Sequence, residues 1–207
     1  MNHHTANLKH YLLKNTSPVI RLLVISDAIF AGASGLLGPI FALFIEDYIY
    51  GGSPAIAGTA AGIYLLTKSI LQIPVAHFID HIHGEKDDFW LMFIFTLLAI
   101  LSPLLYIVIN TPFELYLVEF ILGCAAAFTF PTFMAIFTRH VDQNKEGTEW
   151  GVYFTITDLT GAVAATVGGY IATSHGFPLL ILITVFLSLI GTLPLLFVKP
   201  HLTPPKN

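Results

Sequence analysis

Charge is scarce in this chain: 11% of its 207 residues are Asp, Glu, Lys or Arg, against 55% that are hydrophobic. A water-soluble domain of that length cannot hide so much apolar surface in one core, which excludes an ordinary soluble enzyme or binding module. Cysteine is scarcer still. The single Cys124 rules out a disulfide framework and a thiolate metal site, and is expected to be a small packing residue. Nine histidines are present, yet none falls in a His-Glu-x-x-His or similar spacing, so no metal or other cofactor is expected. No nucleic-acid partner is expected either.

What the chain does have is long apolar runs. A helix needs about 20 mostly apolar residues to cross roughly 30 Å of hydrocarbon. Six stretches qualify, near 19–45, 55–79, 89–109, 114–138, 149–172 and 177–198. The first is too long for a signal-peptide core and carries an aspartate, so it reads as a retained helix. The organisation predicted is a polar segment 1–17, a transmembrane domain 18–198 and a tail 199–207. Lys9, Lys14, Arg21, Lys86, Arg139, Lys145, Lys199 and Lys206 all fall on one side, while "EDYIYGGSPA", "NTPFE" and "TSHGFP" on the other hold no Lys or Arg. Both termini are therefore expected to be cytoplasmic.

The chain also matches itself. Asp27 stands twelve residues before Pro39, and Glu119 twelve before Pro131; "GTAAGIY" from Gly58 to Tyr64 aligns with "GTEWGVY" from Gly147 to Tyr153. The two offsets, 92 and 89, differ by one three-residue loop change. The expected fold class is thus an all-α membrane protein of six transmembrane helices, built as two three-helix repeats spanning about 18–110 and 111–198. Three is odd, so the copies cross the membrane in opposite senses, an inverted repeat of the kind found in secondary transporters.

The loop after the second stretch reads "AHFIDHIHGEKDD". It resembles the Gly-x-x-x-Asp-Arg-x-Gly-Arg-Arg signature of the major facilitator superfamily, with Ala76 for the first glycine, Asp80 kept, His81 for the arginine and Gly84 after one extra residue. Two other positions depart from that family: Glu119 stands four residues before Gly123 where an arginine is frequent, and of the paired motif on the fifth helix of proton antiporters only Gly168 and Gly169 survive. The resemblance implies one six-helix half of a twelve-helix fold, in which the first, second, fourth and fifth helices line a cavity and the seam between halves. It also implies a secondary transporter of a small organic solute, expected to be proton-coupled, in a bacterial or archaeal cytoplasmic membrane. A single half is expected to work as a parallel homodimer. Gly32, Gly35 and Gly38 offer a small-residue face for close helix approach.

Asp27, Lys68, Glu119 and Asp158 fall inside apolar stretches, where a charge costs about 2.5 to 3.5 kcal/mol at mid-membrane on insertion scales. They occupy the first, second, fourth and fifth stretches, the ones the resemblance assigns to the cavity. Asp27 and Glu119 are the expected proton-coupling or substrate-binding groups; the alternative is that each pairs with a nearby hydroxyl or with Lys68. Lys68 and Asp158 are expected to form a gating ion pair between two chains, because the family packs the second helix of one half along the fifth of the other. Asp80 and Arg139 end the second and fourth stretches; the resemblance implies that the aspartate helps to latch a cytoplasmic gate, with Arg139 as the available cation, and the alternative is a solvated surface pair. Phe30, Tyr64 and Tyr153 are candidate cavity aromatics. Pro39, Pro74 and Pro131 lie within helices and are candidate hinges. Two acidic groups per chain lean towards a cationic or amphipathic solute, with a neutral solute such as a sugar, or a scaffold needing a different partner, as alternatives. "GASG", Gly32 to Gly35, fits the Gly-x-Ser-Gly of rhomboid proteases, but Ser34 lies on the first helix and no histidine base lies within the sixth, so an enzyme is not expected.

Overall fold

A computed structural model describes residues 16–81 and 84–202, all helix, turn or irregular chain among those residues. The helices are α1 Pro18–Leu37, α2 Phe41–Tyr48, α3 Pro54–His81, α4 Glu85–Leu101, α5 Pro112–His140, α6 Glu146–His175 and α7 Phe177–Leu196. Most of the expected segment 1–17, the end of the tail and the extra residue of the signature loop lie outside the described residues.

Local chemistry sets the boundaries. Ser17 caps α1 by accepting from the Val19 amide, with Pro18 at the first position where its missing N–H is harmless. Thr111 and Glu114 form a reciprocal capping box at the start of α5, again with a proline, Pro112, at the first position. Arg139 and His140 occupy the last turn of α5, and Glu85, Asp87 and Asp88 the first turn of α4, each with the sign that favours the helix dipole. The first stretch is broken at Pro39. A 3-10 turn, Gly38–Ile40, separates α1 from α2, and a second such turn, Ser102–Ile107, extends α4 around Pro103. Pro74 and Pro131, by contrast, lie inside helices that continue through them.

Five segments are long and apolar enough to cross a membrane: Pro18–Tyr48, Pro54–His81, Glu85–Ile107, Pro112–His140 and Phe177–His201. The helix α6 is as long, at 30 residues, but its glycines, threonines and Asp158 dilute its apolar character and it is not among the five.

The most extensive packing is of α1 on α6 and of α3 on α5, followed by α1 on α7 and α4 on α5. Glycine makes the first two possible. A methyl group added at Gly168 of α6 would lie 1.9 Å from the Leu36 carbonyl oxygen, and one at Gly123 of α5 would lie 2.7 Å from that of Tyr64. The expected small-residue face of α1 acts within the chain and only in part: Gly35 packs closely on Gly161, whereas Gly38 meets nothing within 4 Å.

Two apolar clusters hold the bundle. One, at the end where α1 starts, gathers Val19, Ile20, Leu23, Phe89, Ile136 and Phe137; the other gathers Leu37, Phe44, Ile45, Leu115, Leu180 and Ile181. The outer faces of α3 and α6 stay bare, exposing Leu65, Leu66, Ile70 and Ile73 on the one and Phe154, Leu159, Val163 and Tyr170 on the other. Apolar surface of that extent belongs against lipid or another protein.

Candidate functional site

Between the two clusters lies a cavity of about 360 Å³. Asp27 and Phe30 reach it from α1, Tyr64 and Lys68 from α3, and Tyr153 from α6. Helical spacing accounts for each pair: residues three or four apart share a face. Five positions singled out from sequence thus meet at one place.

Their contacts are specific. The Tyr153 hydroxyl donates to Asp27 Oδ2 at 2.7 Å, tying α6 to α1 across 126 residues of sequence. Next to it Thr160 donates to the Ala28 carbonyl at 3.0 Å, and Ser26 donates to the Gly191 carbonyl of α7 at 2.7 Å. Lys68 makes no ion pair with Asp27. Its ammonium sits over the Phe130 ring, 4.7 Å from the centroid. Phe30, Met92 and Phe133 supply the apolar part of the lining.

Glu119 lines a second cavity of about 430 Å³, which shares Ser34, Tyr64, Ala99, Pro103, Ala126 and Thr184 with the first. The carboxylate is 6% exposed and accepts a 2.6 Å hydrogen bond from the Tyr106 hydroxyl. Both candidate carboxylates are therefore held by a tyrosine, Asp27 by one on α6 and Glu119 by one in the 3-10 extension of α4.

The other expected pairings come out differently. Asp158 is exposed on the outer face of α6, and no ion pair joins it to Lys68 within the chain. The Arg139 guanidinium does not meet Asp80, which is exposed; it donates to Asp88 Oδ2 at 2.5 Å. Geometry explains the substitution. Asp88 sits in the first turn of α4 with a wholly buried side chain, packed against the end of α5, while Asp80 points outward from the last turn of α3. Beside this pair Glu85 lies 3.8 Å from His140. In the loop that follows, Lys145 donates to Asp142 at 2.7 Å, and that hydrogen bond raises the ammonium above its ordinary value.

Asp88, Tyr106, Thr129 and Thr184 are not singled out by sequence. An acidic residue in a first turn looks solvated, and a lone threonine in an apolar helix has no signature. Tyr106 carries a usable signal, since a buried tyrosine hydroxyl requires a partner and Glu119 is the unassigned acceptor.

Compared with known proteins, the chain matches the Major Facilitator Superfamily over residues 23–207. Multidrug resistance protein MdtG of Enterobacter lignolyticus (strain SCF1) is 25% identical over 182 residues, an alignment covering 83% of this chain and 40% of that protein. The crystal structure of a POT family transporter, PepTSo, superposes with a TM-score of 0.63 at 12% identity, covering 91% of this chain and 39% of the other. This chain spans about 40% of the length of either relative.

Proposed function

The chain belongs to the Major Facilitator Superfamily, whose members are transporters, and from that premise we propose that it is a secondary active transporter of a small organic solute, coupled to protons and working by alternating access. Its apolar helices make it an integral membrane protein. The observation that carries the proposal is the cavity with Asp27, Lys68, Tyr64 and Tyr153 on its wall, between two apolar clusters. A carboxylate at mid-bundle that faces a cavity is a group that exchanges protons, and its partner hydroxyl on α6 makes that exchange felt by the packing of α1 on α6. Glu119 with Tyr106 is the second such group.

On this reading α6 is the sixth membrane helix, both termini and the Asp80–Arg139 end are cytoplasmic, and the membrane is that of a bacterium or archaeon. The packing supports a 3+3 repeat. Exchanging the first three long helices with the last three turns α1 on α6 into α5 on α3, and α1 on α7 into α5 on α4, and these four are the main packings found. The bare outer faces of α3 and α6 support a second six-helix unit alongside, supplied by a second copy in parallel orientation. There Lys68 of one copy and Asp158 of the other form a gate that solute or proton opens. The relative named for multidrug resistance favours export of amphipathic compounds.

The test is a pH-gradient-driven flux screen with the purified chain in liposomes, with Asp27→Asn as control. Flux that collapses with the gradient and in the variant is expected. Normal assembly without flux from any gradient would make the chain a scaffold, and full flux in Asp27→Asn would remove Asp27 from the coupling.

A further inference from the structure

Of the two charged side chains on the wall of the 360 Å³ cavity, Asp27 has a hydrogen-bond donor and Lys68 has no carboxylate. Asp27 accepts the Tyr153 hydroxyl at 2.7 Å. Among the described residues no carboxylate lies within ion-pair distance of Lys68, the ion pairs there being those of Arg139, His140 and Lys145. The Lys68 ammonium has only the Phe130 ring face, which answers its charge but accepts none of its three N–H donors in line.

Two threonines also belong to this wall. Thr129 Oγ1 of α5 and Thr184 Oγ1 of α7 are buried and have no hydrogen-bond partner. Buried hydroxyls are almost always paired. The cavity therefore presents one positive charge without a carboxylate partner among the described residues, next to Phe30, Met92 and Phe133.

We propose that Lys68 is an anion-recognition residue and that the transported solute is a small amphipathic organic anion, a carboxylate with an apolar or aromatic body. Its carboxylate binds the Lys68 ammonium, while its body lies on the phenyl rings. The assignment rests on the transport reading for what happens to the solute after binding. It reverses the leaning that two acidic groups suggest, because both are already held by tyrosines and neither faces the cavity unpartnered. A cationic solute would instead meet Lys68. In a dimer the incoming carboxylate displaces Asp158 of a second copy from Lys68.

The test uses three probes of nearly one shape, phenylacetate, phenylacetamide and phenethylamine, on the purified full chain in detergent, with affinity read by calorimetry and by ligand-induced shift of the melting temperature. Phenylacetate is expected to bind, and the amide and amine to bind at least about tenfold more weakly. Lys68→Met is expected to weaken phenylacetate by about tenfold to a hundredfold, the weight of a hydrogen bond to a charged group, with Lys68→Arg retaining most of the affinity. Equal binding of all three probes, tighter binding of the amine, binding of none at millimolar concentration, or unchanged phenylacetate affinity in Lys68→Met would each overturn the assignment. If Lys68→Met does not fold, the three-probe comparison on the unaltered chain decides. Phenylacetate binding through Lys68 without any gradient-driven flux would sink the transport reading and leave this one standing. Gradient-driven flux of the amine alone would do the opposite.

Discussion

Replacing Tyr106 by Phe removes one oxygen atom from the interior and leaves every carbon in place. The two partners are almost wholly buried, Tyr106 at 4% and Glu119 at 6% exposure, with 2.6 Å between hydroxyl and carboxylate. Glu119 then keeps its desolvation and loses its donor. A hydrogen bond to a charged group is worth about 1.5 to 3 kcal/mol in water-soluble proteins. Between membrane helices the measured coupling is smaller, about 0.6 kcal/mol on average and about 1.7 at most, because the unfolded chain in lipid also finds partners. Burial on both sides places this pair near the upper end, so Tyr106→Phe should cost about 1.5 kcal/mol. Glu119→Met, which leaves only a neutral hydroxyl without a partner, should cost less, about 1 kcal/mol. The decisive variant is the double one. With both polar groups gone nothing is left unpaired, so Tyr106→Phe with Glu119→Met should be more stable than Tyr106→Phe alone. Equilibrium unfolding in mixed micelles titrated with SDS, followed by circular dichroism, gives all three free energies. If the two single losses add to within about 0.3 to 0.5 kcal/mol, the pair is not coupled and the reasoning fails.

Gly168→Ala should cost about 3 kcal/mol, the upper end for overpacking, because the added carbon would stand 1.9 Å from a backbone oxygen that cannot rotate away. Gly161→Ala, on the same helix with nothing nearer than 3.8 Å, should change the melting temperature by little; equal losses at the two sites would show that α1 and α6 are not in the contact described. Arg139→Gln strands the wholly buried Asp88 and should cost about 2 to 3 kcal/mol, less than a fully enclosed pair because the arginine is 38% exposed. Asp80→Asn should stay within about 0.5 kcal/mol, as exposed positions do, and a larger loss there than at Arg139 would contradict the pairing. Exchange of charges by Lys68→Asp with Asp158→Lys should recover chain-to-chain cross-linking that each single change abolishes; no recovery would remove the interchain gate.

How much of the fold is legible in the sequence depends on the kind of signal. Apolar runs place five long segments to within a few residues, since a chain has little use for about 20 consecutive apolar residues except to cross a bilayer, and Pro39 marks the break between α1 and α2. Asp27, Phe30, Tyr64, Lys68 and Tyr153 can be named because charge and aromaticity stand out against aliphatic surroundings, and they do share one cavity. Partners are harder. Which tyrosine reaches which carboxylate depends on the rotation of each helix about its own axis, and a sequence without alternation of polar and apolar faces does not encode it visibly. Asp88 shows the limit. The resemblance points to Asp80 in its place because it is the aspartate kept in the signature loop, and only the packing of α4 on α5 makes Asp88 interior.

The composition of α6 has a consequence for how the chain is made. A segment that the translocon tests as it leaves the ribosome has only its own apolarity to keep it in the bilayer, and α6 brings glycines, threonines and Asp158 to that test. The segment behind it, α7, is strongly apolar and follows after Gly176 alone, whose φ of +83° lets the chain turn back at once. Biosynthesis would then deliver the two as a hairpin, with α7 anchoring a helix that enters late. Its retention is completed by α1, which is made before it, with Leu36 and Ala28 ready to receive Gly168 and Thr160.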